Sequence, residues 1–457
     1  MGRKKTSQLK VCKFGGTSLA DANQISKVCD IVLSDPARKI IVVSAPGKRN
    51  KQDIKVTDLL INAAHARIHG AGVKEATAPV CERFRQIARD LAIEESIIEK
   101  IVMAIEASIG SDMHHQGKYI DRVKAIGEDS NAKVVAAALQ KRGVEANYVS
   151  PAEAGLLLTD EYGNAQVLPD SYKNLALLAK RKGIIIFPGF FGVTQNNDIV
   201  TFPRGGSDIT GAIIAAAVKA DVYENFTDVD SVYAVDPRIV ADAMPIEELT
   251  YREMRELSYA GFGVFHDEAI APVVKAEIPI CIKNTNKPEM PGTRIVPERK
   301  FVPGKVVGIA CGDGFCTIFV SKYMMNREIG FGRRLLQILE EEGLSYEHTP
   351  SGIDNISVIL KENVFTEEKE KCVINRIKKE LDVTDVSVEK GLSLIMIVGE
   401  GMRYTVGLAA RATKALAEAG VNIEMLNQGS SEISMMFGVK SVDSLKAVKA
   451  LYSEFFN

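Results

Sequence analysis

Lys10-Val11-Cys12-Lys13-Phe14-Gly15-Gly16-Thr17-Ser18 is the stretch from which the rest of the chain is read. Its first half is a short run that predicts a β-strand, and its second half is a glycine pair followed by two hydroxyls. Ile25, Val28, Ile31 and Val32 recur at helical spacing soon after, so the order is strand, turn, helix. Two adjacent glycines allow a sharp turn and bring bare N–H groups up to a ligand. The dipole of the following helix favours an anion at the same spot, and Lys13 adds a full positive charge. The spacing is neither G-x-x-x-x-G-K-[ST] nor G-x-G-x-x-G. Taken alone, the stretch reads equally as a phosphate cradle and as a glycine-rich β-to-α turn with an exposed lysine.

Working outward, apolar β-branched runs recur at 39–44, 183–187 and 278–282, with helical stretches between them at 56–69, 121–140 and 209–220. Such runs predict strands buried on both faces of a mostly parallel sheet, and the alternation predicts a three-layer αβα domain over residues 1–300. Ligands of such sheets lie beyond the C-terminal strand ends. Ser44-Ala45-Pro46-Gly47 and Pro188-Gly189-Phe190-Phe191-Gly192 are loops of that kind, and Gly127-Glu128 interrupts a helical pattern. Arg204-Gly205-Gly206-Ser207-Asp208 sets an arginine, a glycine pair, a candidate N-cap serine and a first-turn acid at a helix start, which suits a carboxylate or phosphate clamp. Asp208 reads three ways: orienting a lysine, helping to hold a magnesium-bound phosphate, or complementing the helix dipole. The loop 227–233 with Asp236-Pro237-Arg238 suits a nucleotide, and equally a turn-rich surface.

Pro288, Pro291, Pro297 and Pro303 mark a boundary, beyond which the pattern changes. Strands are expected at 314–321, 344–349, 355–360 and 383–389, with helices at 332–342 and 366–380. The order then repeats, with strands at 392–398, 421–427 and 432–439 and helices at 406–419 and 442–456. Each set reads as a ferredoxin-like β-α-β-β-α-β unit, the first over 314–390 and the second over 391–457, with a strand at 305–311 packing with the second. Gly343 and Gly420 close the matching helices, as C-terminal glycines do.

The bulk properties exclude several classes. Over 457 residues, Lys+Arg is 57 and Asp+Glu is 59, a net charge of −2 that offers no field for nucleic acid or an anionic membrane. No apolar run approaches the ~20 residues of a membrane span, and the basic start leads into no apolar signal segment. Seven cysteines without a C-x-x-C fit reduced thiols, and so a cytoplasmic protein. His65 and His69 sit at i, i+4 but read as one face of an amphipathic helix, so no protein metal site is expected.

Together these pieces resemble the aspartokinases of the amino-acid-kinase family, along essentially the whole chain. The resemblance is carried by Lys13-Phe14-Gly15-Gly16-Thr17-Ser18, Arg204-Gly205-Gly206-Ser207-Asp208, Thr227-Asp228-Val229-Asp230-Ser231-Val232-Tyr233, Asp236-Pro237-Arg238, Lys283-Asn284-Thr285, and Gln428-Gly429-Ser430-Ser431-Glu432 of a second ACT domain. It implies a kinase domain followed by two ACT domains, and ATP-dependent, magnesium-assisted phosphorylation of the β-carboxylate of L-aspartate, the first step towards lysine, threonine and methionine. It implies that Lys13, Gly15 and Gly16 meet the ATP phosphates and that Asp208 orients Lys13. Arg204 would grip the α-carboxylate of aspartate, Glu128 would take its ammonium, and Thr57 and Ser207 would hydrogen-bond it. Thr227, Asp228, Tyr233 and Arg238 would line the nucleotide.

An amino-acid effector, lysine or threonine, is implied between ACT domains of a homodimer or dimer of dimers, at Met325, Gly330, Phe331, Gly332, Ser345, Tyr346, Glu347 and Asp354. The chain departs from the family at Gly263 and Asp267, where a lysine and a proline are usual, and at Pro203, where a glycine is usual. Lys48, Arg49, Lys275 or a backbone amide are the candidates to compensate for Gly263. The alternatives are an amino-acid-sensing paralogue with weak catalysis, motivated by Gly263, and a kinase of another amino-acid carboxylate.

Overall fold

The run Val11-Cys12-Lys13-Phe14 forms the middle of a sheet because its neighbours Ile40–Val43 and Tyr223–Phe226 are equally free of exposed positions. The computed structural model describes residues 8–203, 205–261 and 267–457. The expectations for Arg204 and Gly263 lie outside the described residues. By packing, the described residues fall into two units, one of 8–232, 245–251 and 267–299 and one of 233–244, 252–261 and 300–457.

The first unit contains β1 (Lys10–Phe14), β2 (Arg38–Val43), β3 (Ala146–Tyr148), β4 (Ile184–Pro188), β5 (Phe191–Val193), β6 (Ile199–Thr201), β7 (Val222–Thr227), β8 (Glu248–Thr250), β9 (Ile280–Asn284) and β10 (Thr293–Val296). One sheet has the order β3-β4-β2-β1-β7-β9-β10-β8, and β5 pairs with β6 as a separate hairpin. The sheet is parallel from β3 to β9, β10 is antiparallel to β9, and β8 is parallel to β10. Strand order reverses at β1, with β2 on one side and β7 on the other, which opens the crevice used by ligands of such sheets.

Cys12 and Phe14 face a core built with Ile25, Val28, Phe84, Ile105 and Val135 from the helices Ala22–Leu33, Val73–Asp90, Glu95–Ile109 and Gln116–Lys141. Each fully buried Val, Ile or Phe contributes about 1.5–3 kcal/mol. Lys13 faces the other way, towards the helix Gly206–Val218. That makes the three layers expected from the sequence.

The second unit contains β11 (Gly308–Ser321), β12 (Asn355–Lys361), β13 (Asp385–Val398), β14 (Met425–Asn427) and β15 (Ser434–Lys440), ordered β12-β11-β13-β15-β14 and antiparallel throughout. The strands expected at 305–311 and 314–321 are one strand, as are those at 383–389 and 392–398. Gly314 (φ +80°) and Gly391 (φ +73°) absorb the local irregularity, so the strand bends instead of stopping. β11 and β13 pair with each other along both halves, while 315–321 of β11 also pairs with β12 and 392–398 of β13 also pairs with β15, which joins the two ferredoxin-like halves in a single sheet. The stretch 344–349 is no regular strand; it reaches β12 through the isolated bridge of His348 with Ile359. Among the described residues no helix is long and apolar enough to cross a membrane.

Candidate active site

β1 delivers Lys13 to the crevice, 8% exposed, with its Nζ 2.8 Å from Asp208 Oδ1. Asp208 stands in the first turn of the helix Gly206–Val218, where an acid complements the helix dipole. Asn225 on β7 donates to the same Oδ1 at 2.5 Å, and the Tyr223 hydroxyl donates to the Asp208 carbonyl at 3.2 Å. Lys13 and Asn225 are register partners on adjacent strands, which is why both reach one carboxylate. Asn225 was missed in the sequence, although a polar residue inside a buried strand is a signal in itself.

The glycine pair turns the chain from β1 into a short 3₁₀ turn, Gly16–Leu19. The Gly15 N–H donates to the Phe226 carbonyl at 3.1 Å, and a Cβ on Gly15 would lie 3.6 Å from Lys13 Nζ, so the ammonium stands over the turn. The N-cap of the helix Gly206–Val218 is Gly205, at φ +78°, and not Ser207. A left-handed glycine starts this helix without a side-chain cap, which leaves Ser207 as a helical residue, 8% exposed, whose hydroxyl is packed under Gly189.

Glu128 lies within the continuous helix Gln116–Lys141. Gly127 does not interrupt that helix. A Cβ there would stand 3.0 Å from Leu60 Cδ1 and 3.1 Å from Ala45 Cβ, so glycine lets the helix approach the loop after β2. Glu128 is 5% exposed and its Oε2 has no hydrogen-bond partner among the described residues. Burial pushes its carboxyl up to about 8, opposed chiefly by the backbone N–H of Ala45. Asn131, one turn further on, holds the Ser44 carbonyl at 2.7 Å and leaves its own Oδ1 unpaired. Thr57 is half-buried in the first turn of the helix Val56–Ile68. A buried, unpaired carboxylate is costly unless a cation arrives to meet it.

The remaining expected residues are distributed between the units. Thr227 ends β7 and Asp228 follows it, their side chains 3.2 Å apart, and the Thr285 N–H donates to the Thr227 carbonyl. Tyr233 and Arg238 belong to the segment 233–244 of the second unit, where the Arg238 guanidinium is bound by Asp236 at 2.6 Å. In the second unit Gly330 (φ +82°) caps the helix Phe331–Glu341, and Gly332 lies in its first turn. Met325 and Phe331 are buried, Ser345 and Tyr346 are exposed, and Asp354 accepts from the Met324 N–H at 2.8 Å. Glu347 accepts from the Tyr259 hydroxyl, a partner that the sequence did not announce.

The amino acid kinase family model matches residues 8–284, and an ACT domain model matches residues 395–455. Aspartokinase 3 of Bacillus subtilis (strain 168) is 57% identical over 98% of this chain and 99% of its own length. The chain belongs to the aspartokinase family. Among aspartokinases of known structure, the Clostridium acetobutylicum aspartate kinase is 38% identical, with a TM-score of 0.86 over 98% of this chain and 100% of that one. Escherichia coli aspartokinase III, solved in complex with aspartate and ADP, is 23% identical with a TM-score of 0.75, and shares the fold. The chain is therefore an enzyme, a phosphotransferase of the aspartokinase type, with an ACT region for regulation.

Proposed function

We propose that this aspartokinase transfers the γ-phosphoryl group of ATP to the β-carboxylate of L-aspartate, giving 4-phospho-L-aspartate for lysine, threonine and methionine synthesis in the cytoplasm. The observation that carries the substrate reading is the buried Glu128 carboxyl, whose Oε2 meets no partner among the described residues, on a helix that touches the loop after β2, the loop that also touches the glycine turn beneath Lys13. An α-ammonium is the group that completes it. Arg204 takes the α-carboxylate, and Thr57 and Ser207 hydrogen-bond the substrate. The β-carboxylate is already an anionic nucleophile at neutral pH, so no general base is required. The task is to bring two anions together and to stabilise charge on the transferring group. Lys13 and the turn at Gly15-Gly16 do this on the phosphate side, with Asp208 orienting Lys13, while Thr227 and Asp228 line the nucleotide.

No group of three His, Cys, Asp or Glu that could cage a metal is found among the described residues. Magnesium that travels with ATP needs only one or two carboxylates beside phosphate oxygens, and Asp208 fits that role. Bound with the nucleotide, magnesium supplies neutralisation of phosphoryl charge.

Regulation is by an amino acid, lysine by preference, at Met325, Gly330, Phe331, Gly332, Ser345, Tyr346, Glu347 and Asp354. The first-turn N–H groups after Gly330 suit its carboxylate, and Glu347 or Asp354 its ammonium. Tyr323, Ile329 and Ile353, at 78%, 97% and 70% exposed, lie within two residues of Met325, Gly330 and Asp354 in the chain and fit burial against a second copy in a homodimer or dimer of dimers. The test is ADP release with Mg-ATP and aspartate or glutamate as acceptor. Turnover with aspartate alone is expected, and equal turnover with glutamate overturns the substrate assignment. Absence of turnover with ATP still bound favours an amino-acid-sensing protein instead.

A further inference from the structure

The segment 44–55, between β2 and the helix Val56–Ile68, has no regular structure, yet its backbone touches the site three times. The Ser44 N–H donates to the Phe14 carbonyl at 3.2 Å and the Gly47 N–H donates to the Gly16 carbonyl at 2.8 Å. The Ala45 N–H serves the Glu128 carboxylate. A Cβ on Gly47 would lie 2.5 Å from the Gly16 carbonyl carbon, so the two backbones are in direct contact. A loop without a hydrogen-bond ladder drifts unless something behind it holds it.

A partly buried cluster does so. Asp53 accepts from the Arg49 N–H at 2.9 Å and from the Arg49 guanidinium at 2.9 and 3.0 Å. It also accepts from Arg83 Nη2 at 2.7 and 2.8 Å. Arg83 comes from the helix Val73–Asp90 and is 6% exposed. It donates further to the Gly47 carbonyl at 3.3 Å and to the Ile54 carbonyl at 3.2 Å. One guanidinium therefore holds both ends of the loop. The carbonyl that it holds at Gly47 belongs to the residue whose N–H holds Gly16. A buried ion pair is often no more stabilising than apolar residues of the same volume, so stability alone is a weak reason for this one.

We propose that Arg83, through Asp53 and the Gly47 carbonyl, is a positioning residue that sets both the phosphate cradle at Gly15-Gly16 and the ammonium site at Glu128. The identity of the two ligands rests on the proposed function; the geometry of the lock does not. Arg83 touches neither ligand and acts through the loop. Its planar fork spans three acceptors on different residues, which a lysine ammonium cannot do from the same place.

The test compares Arg83→Met, Arg83→Lys, Asp53→Asn and the Arg83→Met/Asp53→Asn double variant of the full chain. Arg83→Met and Asp53→Asn are each expected to raise the KM of both ATP and aspartate about tenfold, the scale of a small misplacement of a site. The double variant is expected to be little worse than either single one, because the two residues act as one unit. Arg83→Lys, with the charge kept and the fork lost, is expected not to rescue. With the Ala45 N–H displaced from Glu128, the acid limb of kcat/KM for aspartate moves to higher pH. Hydrogen exchange at the Ala45 and Gly47 amides quickens whether or not the enzyme turns over. A lower melting temperature with unchanged KM values, pH profile and exchange would make Arg83 merely structural and overturn the proposal. Should Arg83→Met fail to fold, Arg83→Lys carries the same readouts. Lack of turnover by the wild type counts against the functional reading, and exchange then decides on the lock.

Discussion

Two charged residues at the crevice behave in opposite ways, and each makes a prediction. Lys13 is paired with Asp208, and its ammonium stands over the glycine turn. Lys13→Ala should lower kcat by about 10²–10³, the scale for losing one preorganised stabilising group, with binding of aspartate little changed. Steady-state kinetics check it, and intact turnover would remove Lys13 from the phosphate cradle. Glu128 is buried with its Oε2 unmet among the described residues, its carboxyl pushed up to about 8 by desolvation. The folded protein therefore holds a proton there that the unfolded chain gives up near its ordinary value of about 4.3. Stability from this group is present in full at acid pH and is lost as pH rises towards about 8, at about 1.4 kcal/mol per pH unit. Glu128→Gln should flatten that dependence in urea titrations between pH 5 and 8 while raising the KM of aspartate. In the wild type, aspartate binding at pH 7 should release a proton, which calorimetry in buffers of different ionisation enthalpy detects.

The helix Gly206–Val218 is the element on which the site depends most, because it carries Ser207 and Asp208 and packs flat on β1 and β7. Its fit relies on Gly211, where a Cβ would meet the Tyr223 hydroxyl oxygen at 2.5 Å. Tyr223 is fully buried and its hydroxyl is bonded to the Asp208 carbonyl, so it has nowhere to go. Helix propensity favours Gly211→Ala by about 1 kcal/mol, but overpacking typically costs about 1–3 kcal/mol. We expect the clash to win, with a lower urea midpoint and weaker ATP use as Asp208 shifts. A gain in stability would show that the helix can move without harm. Elements were the scale at which local patterns were easiest to read. The run at Lys10–Phe14, the helix after it and the helix after Gly205-Gly206 follow from apolar period and glycine placement. Glycines inside long elements were the hard part. Gly127 read as an interruption and 390–391 as a break between two strands, yet Gly127 is a packing contact inside a continuous helix and Gly391 a bend in a strand whose neighbours pair on both sides of it.

At the scale of the whole molecule the open matters are the effector and the assembly. Lysine, titrated into the ADP-release assay beside threonine and methionine, is expected to inhibit most strongly; an effect of threonine alone would reassign the site. Ile329 is 97% exposed, so Ile329→Glu should leave the melting temperature unchanged, yet shift the protein towards monomer in sedimentation and blunt the effector response. An unchanged assembly would place the subunit contact elsewhere.

The sequence by itself determined the element order, the α/β and ferredoxin-like halves and the turn that carries Lys13, because period, glycine and charge are properties of neighbouring residues. It also held the motifs that point to the family. Only the tertiary structure decided which polar groups meet. It brought Lys13 and Asn225 onto the Asp208 carboxylate, buried Glu128 with its Oε2 unmet among the described residues, put Arg83 behind Gly47, and fused four expected strands into β11 and β13. Those outcomes depend on distances between segments far apart in the chain, which packing sets and local pattern does not contain.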